Sequence, residues 1–298
     1  MMSLAPFVVA LALAQPTDPY VRSRVDSGDT RTQCLYWTTE RVTWHQSTYG
    51  NPETPGDSEL EAMRRSFQSW QDIFAGCGNL ALVEGPLVNE REVGYRREGD
   101  NRNLVLFRDR DCSVVVPAED ACWDEDTCAN EYDCWEDDDN TIAITLTTYD
   151  ERSGIIYDSD ISFNAARFAF TTADGGTCFP PVTTNCVATD VQNTATHEIG
   201  HFIGLDHTRA QGSTMNPSAP PGEVSKRSID TGSRDFVCAV YPRGRASQAC
   251  LHPVMTDELP AHAKAGGCAA GGTAAVLPAL GAWALWLARR RRREEGRE

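Results

Sequence analysis

The segment HEIGHFIGLDH, His197 to His207, constrains this chain more than any other, because it places three of the six histidines of a 298-residue sequence within one short run. Imidazole is the commonest side-chain metal ligand, and residues four apart share a helix face, so on a helix His197 and His201 point the same way. Val191, Ala195, Ile199, Phe202 and Ile203 recur at roughly helical spacing, and Thr189 with Gln192 has the form of a capping box. Gly204 suits a helix end, where a residue tolerant of positive φ turns the chain and can bring His207 back toward the other two imidazoles.

Three protein ligands with an open fourth position describe a catalytic zinc site, whereas structural zinc is usually closed by four. Glu198, beside the first ligand, adds a general base: its carboxylate can take a proton from zinc-bound water as the hydroxide attacks a carbonyl, then pass it to the leaving amine. The bland alternative makes these ordinary core and surface histidines. Five fixed positions weigh against it, since HExxHxxGxxH is expected by chance in such a chain on the order of one time in ten thousand.

The extended motif, followed by Ser213-Thr214-Met215-Asn216-Pro217, resembles the signature of the metzincin metalloproteases, in which a methionine turn follows the zinc ligands. The resemblance implies one catalytic zinc on His197, His201 and His207, catalysis by Glu198, and Met215 as a hydrophobic base beneath the ligands. More of the chain is similar to the matrixin-like branch. Cys34 to Trp37 followed by Arg41 to Trp44 reads as a first strand. Ser58 with Glu61 reads as a capping box, and Leu60, Met63, Phe67, Trp70 and Phe74 form the apolar stripe of an amphipathic helix. Leu80 to Val83, Leu104 to Phe107, Thr141 to Leu146 and Ile155 to Phe163 are strand candidates, and the SDISFN segment, Ser159 to Asn164, is matrixin-like. Ile229 to Pro242 resembles the family's closing helix. The expectation is therefore an α+β metzincin, matrixin-like zincin domain over residues 33–242, a twisted mixed five-stranded sheet with three helices. By the same resemblance, a polypeptide substrate lies extended along the edge strand near Thr141 to Thr147, and the loop Pro217 to Gly222 walls the pocket beyond the scissile bond.

Two stretches depart from the family pattern. Many matrixins carry a pro-domain whose cysteine caps the zinc, but only a short segment separates the expected signal peptide from the first strand, and no such switch motif is found in it; Cys34 could ligate zinc in a latent form, with a disulfide as the preferred reading. The insertion 112–139 holds four cysteines, and from Glu119 to Asp139 it has eleven Asp or Glu and no Lys or Arg. Its cysteine spacings lack the paired CxxC of a zinc ribbon, so disulfides are expected. Its carboxylates, with Asp158, Asp160 and the Asp174-Gly175-Gly176 turn, are candidates for a second cation, Ca2+, against a default of solvated acidic loops.

Residues 1–14 form an uncharged apolar run ending Ala-Leu-Ala and read as a secretory signal, with 15–32 a short N-terminal segment. Export suits eleven cysteines. After a tether, 243–267, where a Cys238 to Cys250 disulfide is one pairing considered, comes Cys268, then an uncharged span Ala269 to Ala288 and five arginines at 289–293. That span is long enough to cross a bilayer, with the arginines on the cytoplasmic side. Cysteine, span and arginines at 268–298 together resemble the C-terminal sorting tags of the myxosortase type (MYXO-CTERM). The resemblance implies a sorting protease as partner, at least transient membrane entry, and surface or outer-membrane anchoring through Cys268, with release or a permanent membrane anchor as alternatives. Setting Cys268 aside leaves ten cysteines, an even number able to pair.

The chain carries −16, and because residues 269–298 hold six Arg and three Glu, the exported remainder carries −19. Such a surface argues against nucleic acid and favours neutral or cationic substrates. The reading is thus a monomeric, exported zinc metalloendopeptidase. A zinc hydrolase of cell-wall amide crosslinks and a zinc-stabilised surface binding module are the alternatives.

Overall fold

A computed structural model describes residues 19–179, 182, 185–254 and 264–271, the last of these as backbone. Five strands form one mixed sheet: β1 (Arg41–Gln46), β2 (Ala81–Glu84), β3 (Asn103–Arg108), β4 (Thr141–Tyr149) and β5 (Ile156–Asn164). Their order is β2-β1-β3-β5-β4, with β4 the one antiparallel member. A sixth strand from the C-terminal segment, β6 (Lys264–Gly271), pairs antiparallel with β4. Three helices pack on the inner face: α1 (Ser58–Cys77), α2 (Val191–Phe202) and α3 (Thr231–Val240). This is the expected metzincin-like α+β domain.

The alternation of each strand decides which face is core. Trp44, Val105, Phe107, Ala143, Ile161 and Phe163 point inward and join Met63, Phe67, Trp70, Ile199, Phe202 and Phe236 in one apolar cluster. The α1 stripe is buried throughout, and Phe67 stacks on Trp44 with ring centroids 3.8 Å apart. Full burial of each such side chain contributes roughly 1.5–3 kcal/mol, which is why the period-2 and period-3.6 patterns prevail here over local propensity.

Several local expectations are corrected. The first strand spans only Arg41–Gln46; Cys34 and Tyr36 make single bridges to Arg24 and Ile155, and the turn at Thr39, whose hydroxyl accepts from Arg41 N, separates the two pieces. Neither helix start uses the expected capping box. The N-cap of α2 is Asp190, one residue beyond Thr189, and its carboxylate accepts from Asn193 N at 2.7 Å. Thr189 instead pairs in a two-residue ladder with Phe170, and Gln192 accepts from Arg65. At α1 the N-cap position, Asp57, makes no capping bond, while the Ser58 hydroxyl accepts from Thr172.

The disulfides are Cys34–Cys250, Cys77–Cys238, Cys112–Cys134, Cys122–Cys128 and Cys178–Cys186. Cys238 and Cys250 are therefore not paired with each other, because each is claimed by a distant element, Cys77 at the end of α1 and Cys34 ahead of β1. The Cys34 disulfide also removes it as a zinc ligand. Residues 243–254 lie against the body, with Gln33 bonded to Cys250 N and Leu251.

The insertion carries three short helices and its own small core of Cys112, Val116, Cys122, Cys128 and Cys134. It covers the outer face of the sheet. The expected signal segment, and all but Ala269 to Gly271 of the expected membrane span, lie outside the described residues; those three residues belong to β6. Among the described residues no helix is long and apolar enough to cross a membrane.

Candidate metal centre

Val191, Ala195, Ile199 and Phe202 bury one side of α2 in the core, which fixes the helix rotation and turns His197, Glu198 and His201 toward β4. Gly204 ends the helix at φ +95°, and a Cβ there would overlap the Leu35 carbonyl, so only glycine fits this close approach. The reversal returns His207 to the first two imidazoles as the sequence predicts.

The three Nε2 atoms converge, with separations of 3.2 Å (His197 to His201), 3.1 Å (His197 to His207) and 3.1 Å (His201 to His207). A tetrahedral ion at about 2.0–2.1 Å from each nitrogen needs edges of about 3.3–3.4 Å, so this donor set fits zinc closely. The protons lie on the far side of two rings: His197 Nδ1 donates to the Thr214 carbonyl at 2.7 Å and His201 Nδ1 to the Leu205 carbonyl at 2.8 Å, which leaves each Nε2 as a lone pair. Burial, reinforced by the neighbouring imidazoles, lowers His197 well below the usual histidine value and His201 to about 3; burial lowers His207 as well. All three therefore stay neutral, the form that binds a metal. They are a group able to hold a metal ion.

Glu198 is fully buried, and its Oε2 accepts from the Thr145 hydroxyl at 2.7 Å. Thr145 lies on β4, so the edge strand and the histidine helix are joined at this carboxylate. Met215 is buried against α2: a Cβ on Gly200 would overlap its Sδ, so the glycine inside the HEIGH run makes room for the methionine. Sequence reasoning named Met215 but missed what holds its turn. Asp230, the N-cap of α3, accepts from Thr214 N at 2.8 Å and Ser213 Oγ at 3.1 Å. Burial opposes its charge, yet these bonds and those from Ser233 keep the carboxyl below its ordinary value. A chain of contacts thus runs from Asp230 through Thr214 to the His197 ring. The legible signal was an Asp placed just before the closing helix; for Thr145 it was a threonine at an inward position of an otherwise apolar strand.

Further support comes from two basic residues. Arg227 forms an ion pair with the Asp190 cap, fixing the start of α2. Lys226 is buried; its backbone N–H donates to Asn193 on α2, and its Nζ donates to the Ser218 carbonyl in the loop after Met215.

Four of the carboxylates named for Ca2+ find donors of their own. Asp160 accepts from Leu104 N at 2.7 Å and Gly94 N at 2.6 Å, Asp174 pairs with Arg227, Asp120 accepts from Tyr132, and Asp133 pairs with Arg91 and Arg108. Cys268 lies in β6 opposite Thr145, and the other ten cysteines form the five disulfides.

Fold and histidine triad together define a metzincin-like domain. A model of the matrixin family of peptidases matches residues 123–241, from the insertion through α3, and supports a matrixin-like metallopeptidase whose relatives use zinc. No curated protein matches the chain.

Proposed function

We propose that this chain is an exported zinc-dependent endopeptidase in which His197, His201 and His207 hold one zinc and Glu198 acts as general base. The observation that carries the reading is the Glu198 carboxylate: fully buried, adjacent in sequence to one of three histidines whose nitrogens converge, and held by the Thr145 hydroxyl. Burying a carboxylate is costly unless it is used or paired, and a purely structural or binding site does not require one there. Zinc, when bound, supplies a Lewis acid that polarises a carbonyl and acidifies water. Glu198 takes the proton of the attacking water and returns it to the leaving amine. Thr145 holds the carboxylate in place for both transfers, while Met215 and the Asp230 contacts keep the ligand rings from tilting.

An extended polypeptide would gain main-chain hydrogen bonds along the edge of β4 opposite β5. The loop Pro217 to Gly222 walls the adjoining pocket, pinned by Lys226 at the Ser218 carbonyl and by Gly222 N on the Ala188 carbonyl. Five disulfides support export. Surface attachment through Cys268, with membrane entry of 269–288, rests on the sequence pattern alone.

The test is zinc content together with cleavage of denatured protein and of isolated cell wall, for the full chain and its Glu198→Ala variant. Both should bind one zinc, and the variant should lose protein cleavage at least about a hundredfold, in keeping with removal of a general base. Cleavage of cell wall alone would replace the peptidase reading with that of a crosslink hydrolase. Zinc binding without any cleavage would leave a binding module.

A further inference from the structure

The edge of β4 that the proposed function gives to substrate is paired with this chain's own C-terminal segment. β6 runs antiparallel to β4 from Lys264 opposite Tyr149 to Ala270 opposite Ala143, and places Cys268 opposite Thr145, the residue that holds Glu198. Its backbone also comes within 8 Å, Cα to Cα, of α2. The strand therefore lies in the groove between the sheet edge and the histidine helix.

We propose that Lys264–Gly271 is an intramolecular occupant of the substrate groove, which keeps the site latent until the segment is displaced. The proposal rests on the endopeptidase reading for what the groove accepts, and on the strand pairing for what fills it.

Three physical points support it. A nine-residue edge, Thr141–Tyr149, rich in threonine and isoleucine, is a ready template for strand addition and favours any strand that covers it. The covering sequence, Lys-Ala-Gly-Gly-Cys-Ala-Ala-Gly, is made of residues with poor strand propensity. Main-chain hydrogen bonds must supply most of its pairing, so it holds the groove without side-chain preference and yields to a better strand. Finally, the Cys34–Cys250 disulfide fixes the chain only 14 residues before Lys264. A tether that short gives the segment an effective concentration on the order of millimolar, enough to compete with a dilute substrate. Any processing that removes or holds the segment then unmasks the site.

The experiment uses the full chain, with Gly267→Pro to remove a main-chain donor in the middle of β6 and Ala261→Pro, ahead of the strand, as control. Amide exchange across Thr141–Tyr149, measured in a Glu198→Ala background, reads pairing without any need for activity. Gly267→Pro should speed exchange there about tenfold or more, and with Glu198 intact it should lower KM for a quenched peptide about tenfold with kcat unchanged; Ala261→Pro should do neither. A synthetic Lys264–Gly271 peptide added to the Gly267→Pro chain should restore protection and inhibit competitively. Equal exchange in parent and Gly267→Pro chains, or a peptide that neither protects nor inhibits, would overturn the proposal. If exchange responds as expected yet no variant cleaves any peptide, the strand does occupy the groove and it is the endopeptidase reading that fails.

Discussion

The two faces of strand β4 are built on opposite principles. Inward, Ala143 and Thr145 meet α2 across an apolar core in which the one acidic group of consequence, Glu198, is held by a hydroxyl. Outward, Ile144 and Leu146 line a cavity of about 460 Å³ beneath the insertion, together with Arg108, Trp135, Glu136 and Ser162. Buried charge collects on this outer side: Arg108 is 1% exposed, and Asp158 and Asp160 are 2% and 1% exposed. Hydrophobic patterning and hydrogen bonds position the inner face. The outer face instead relies on disulfides to hold a charged cover in place. A fold of this kind can vary its cover while keeping the chemistry, provided the strand between them stays straight.

That contrast can be broken most strongly by pH. Burial pushes the carboxyls of Asp158 and Asp160 above the ordinary range; the neighbouring Asp160 raises Asp158 further, to about 9, whereas hydrogen bonds from Gly94 N, Leu104 N and Asp158 hold Asp160 back to about 6. Their folded values exceed their unfolded ones, so the stability they contribute is fully present below the unfolded value of about 4 and is lost as pH rises through the folded values. Above about pH 7 unfolded histidines are already neutral and do not mask the trend. The unfolding free energy measured by urea titration should therefore fall between about pH 7 and 9 by up to roughly 1.4 kcal/mol per pH unit, one proton's worth. Asp158→Asn should flatten that slope and leave zinc content unchanged. A parallel slope in the variant would place the titration elsewhere.

Comparable in size is the effect of the cover itself. The Cys112–Cys134 disulfide closes a 22-residue separation around a core of a few side chains, a constraint worth about 3 kcal/mol in the chain-entropy account. Replacing both cysteines by serine should make the 112–139 segment the first site of proteolytic nicking, while zinc stoichiometry holds. Loss of zinc in that variant would mean that the two faces are coupled through β4 rather than independent.

The same division separates what was legible in the sequence from what was not. The α1 stripe, the α2 face, His197, His201, His207 and Gly204 follow from periodicity and φ preference, because each depends on neighbours within one or two turns. Asp190 in place of Thr189 as the cap was not readable: Arg227, 37 residues away, selects it through an ion pair. The disulfide partners of Cys238 and Cys250 are set by which elements the sheet order brings together, and the spacing of cysteines along the chain does not encode that. The last strand of the sheet comes from a stretch of glycine and alanine that carries no strand pattern at all; its place follows from the vacant edge it meets.

On the inner face, Asp230→Ala should weaken zinc binding about 10–100-fold, the usual cost of losing an outer contact to a ligand, read by competition with a chelator. Asp230 touches no ligand directly. It accepts from Thr214 N, and the Thr214 carbonyl in turn accepts from His197, so release of the turn frees one ring. Asp230→Asn, which keeps one acceptor oxygen, should fall between parent and alanine variant; an alanine variant with parental affinity would show that the methionine turn is held by packing of Met215 against Gly200 alone.

The smallest effect expected is also the sharpest, because it acts on the strand that both faces share. Thr145→Val keeps shape and removes the hydroxyl that donates to Glu198 Oε2 and lies 3.1 Å from the Glu198 carbonyl oxygen. The ligands are untouched, so zinc affinity should stay within about twofold. A valine keeps the strand propensity of β4, so its pairing with β5 should be preserved. What changes is the freedom of the Glu198 carboxylate: a net hydrogen bond to a charged group is worth about 1.5–3 kcal/mol, and only the part needed at the moment of proton transfer appears in the rate. A loss of about threefold to tenfold in kcat with KM unchanged follows. Serine, which restores the donor without the methyl, should recover most of it. If Thr145→Val instead raised KM and spared kcat, the threonine would serve the groove and its strand partner rather than the base, and the division between the two faces of β4 would have to be redrawn at this residue.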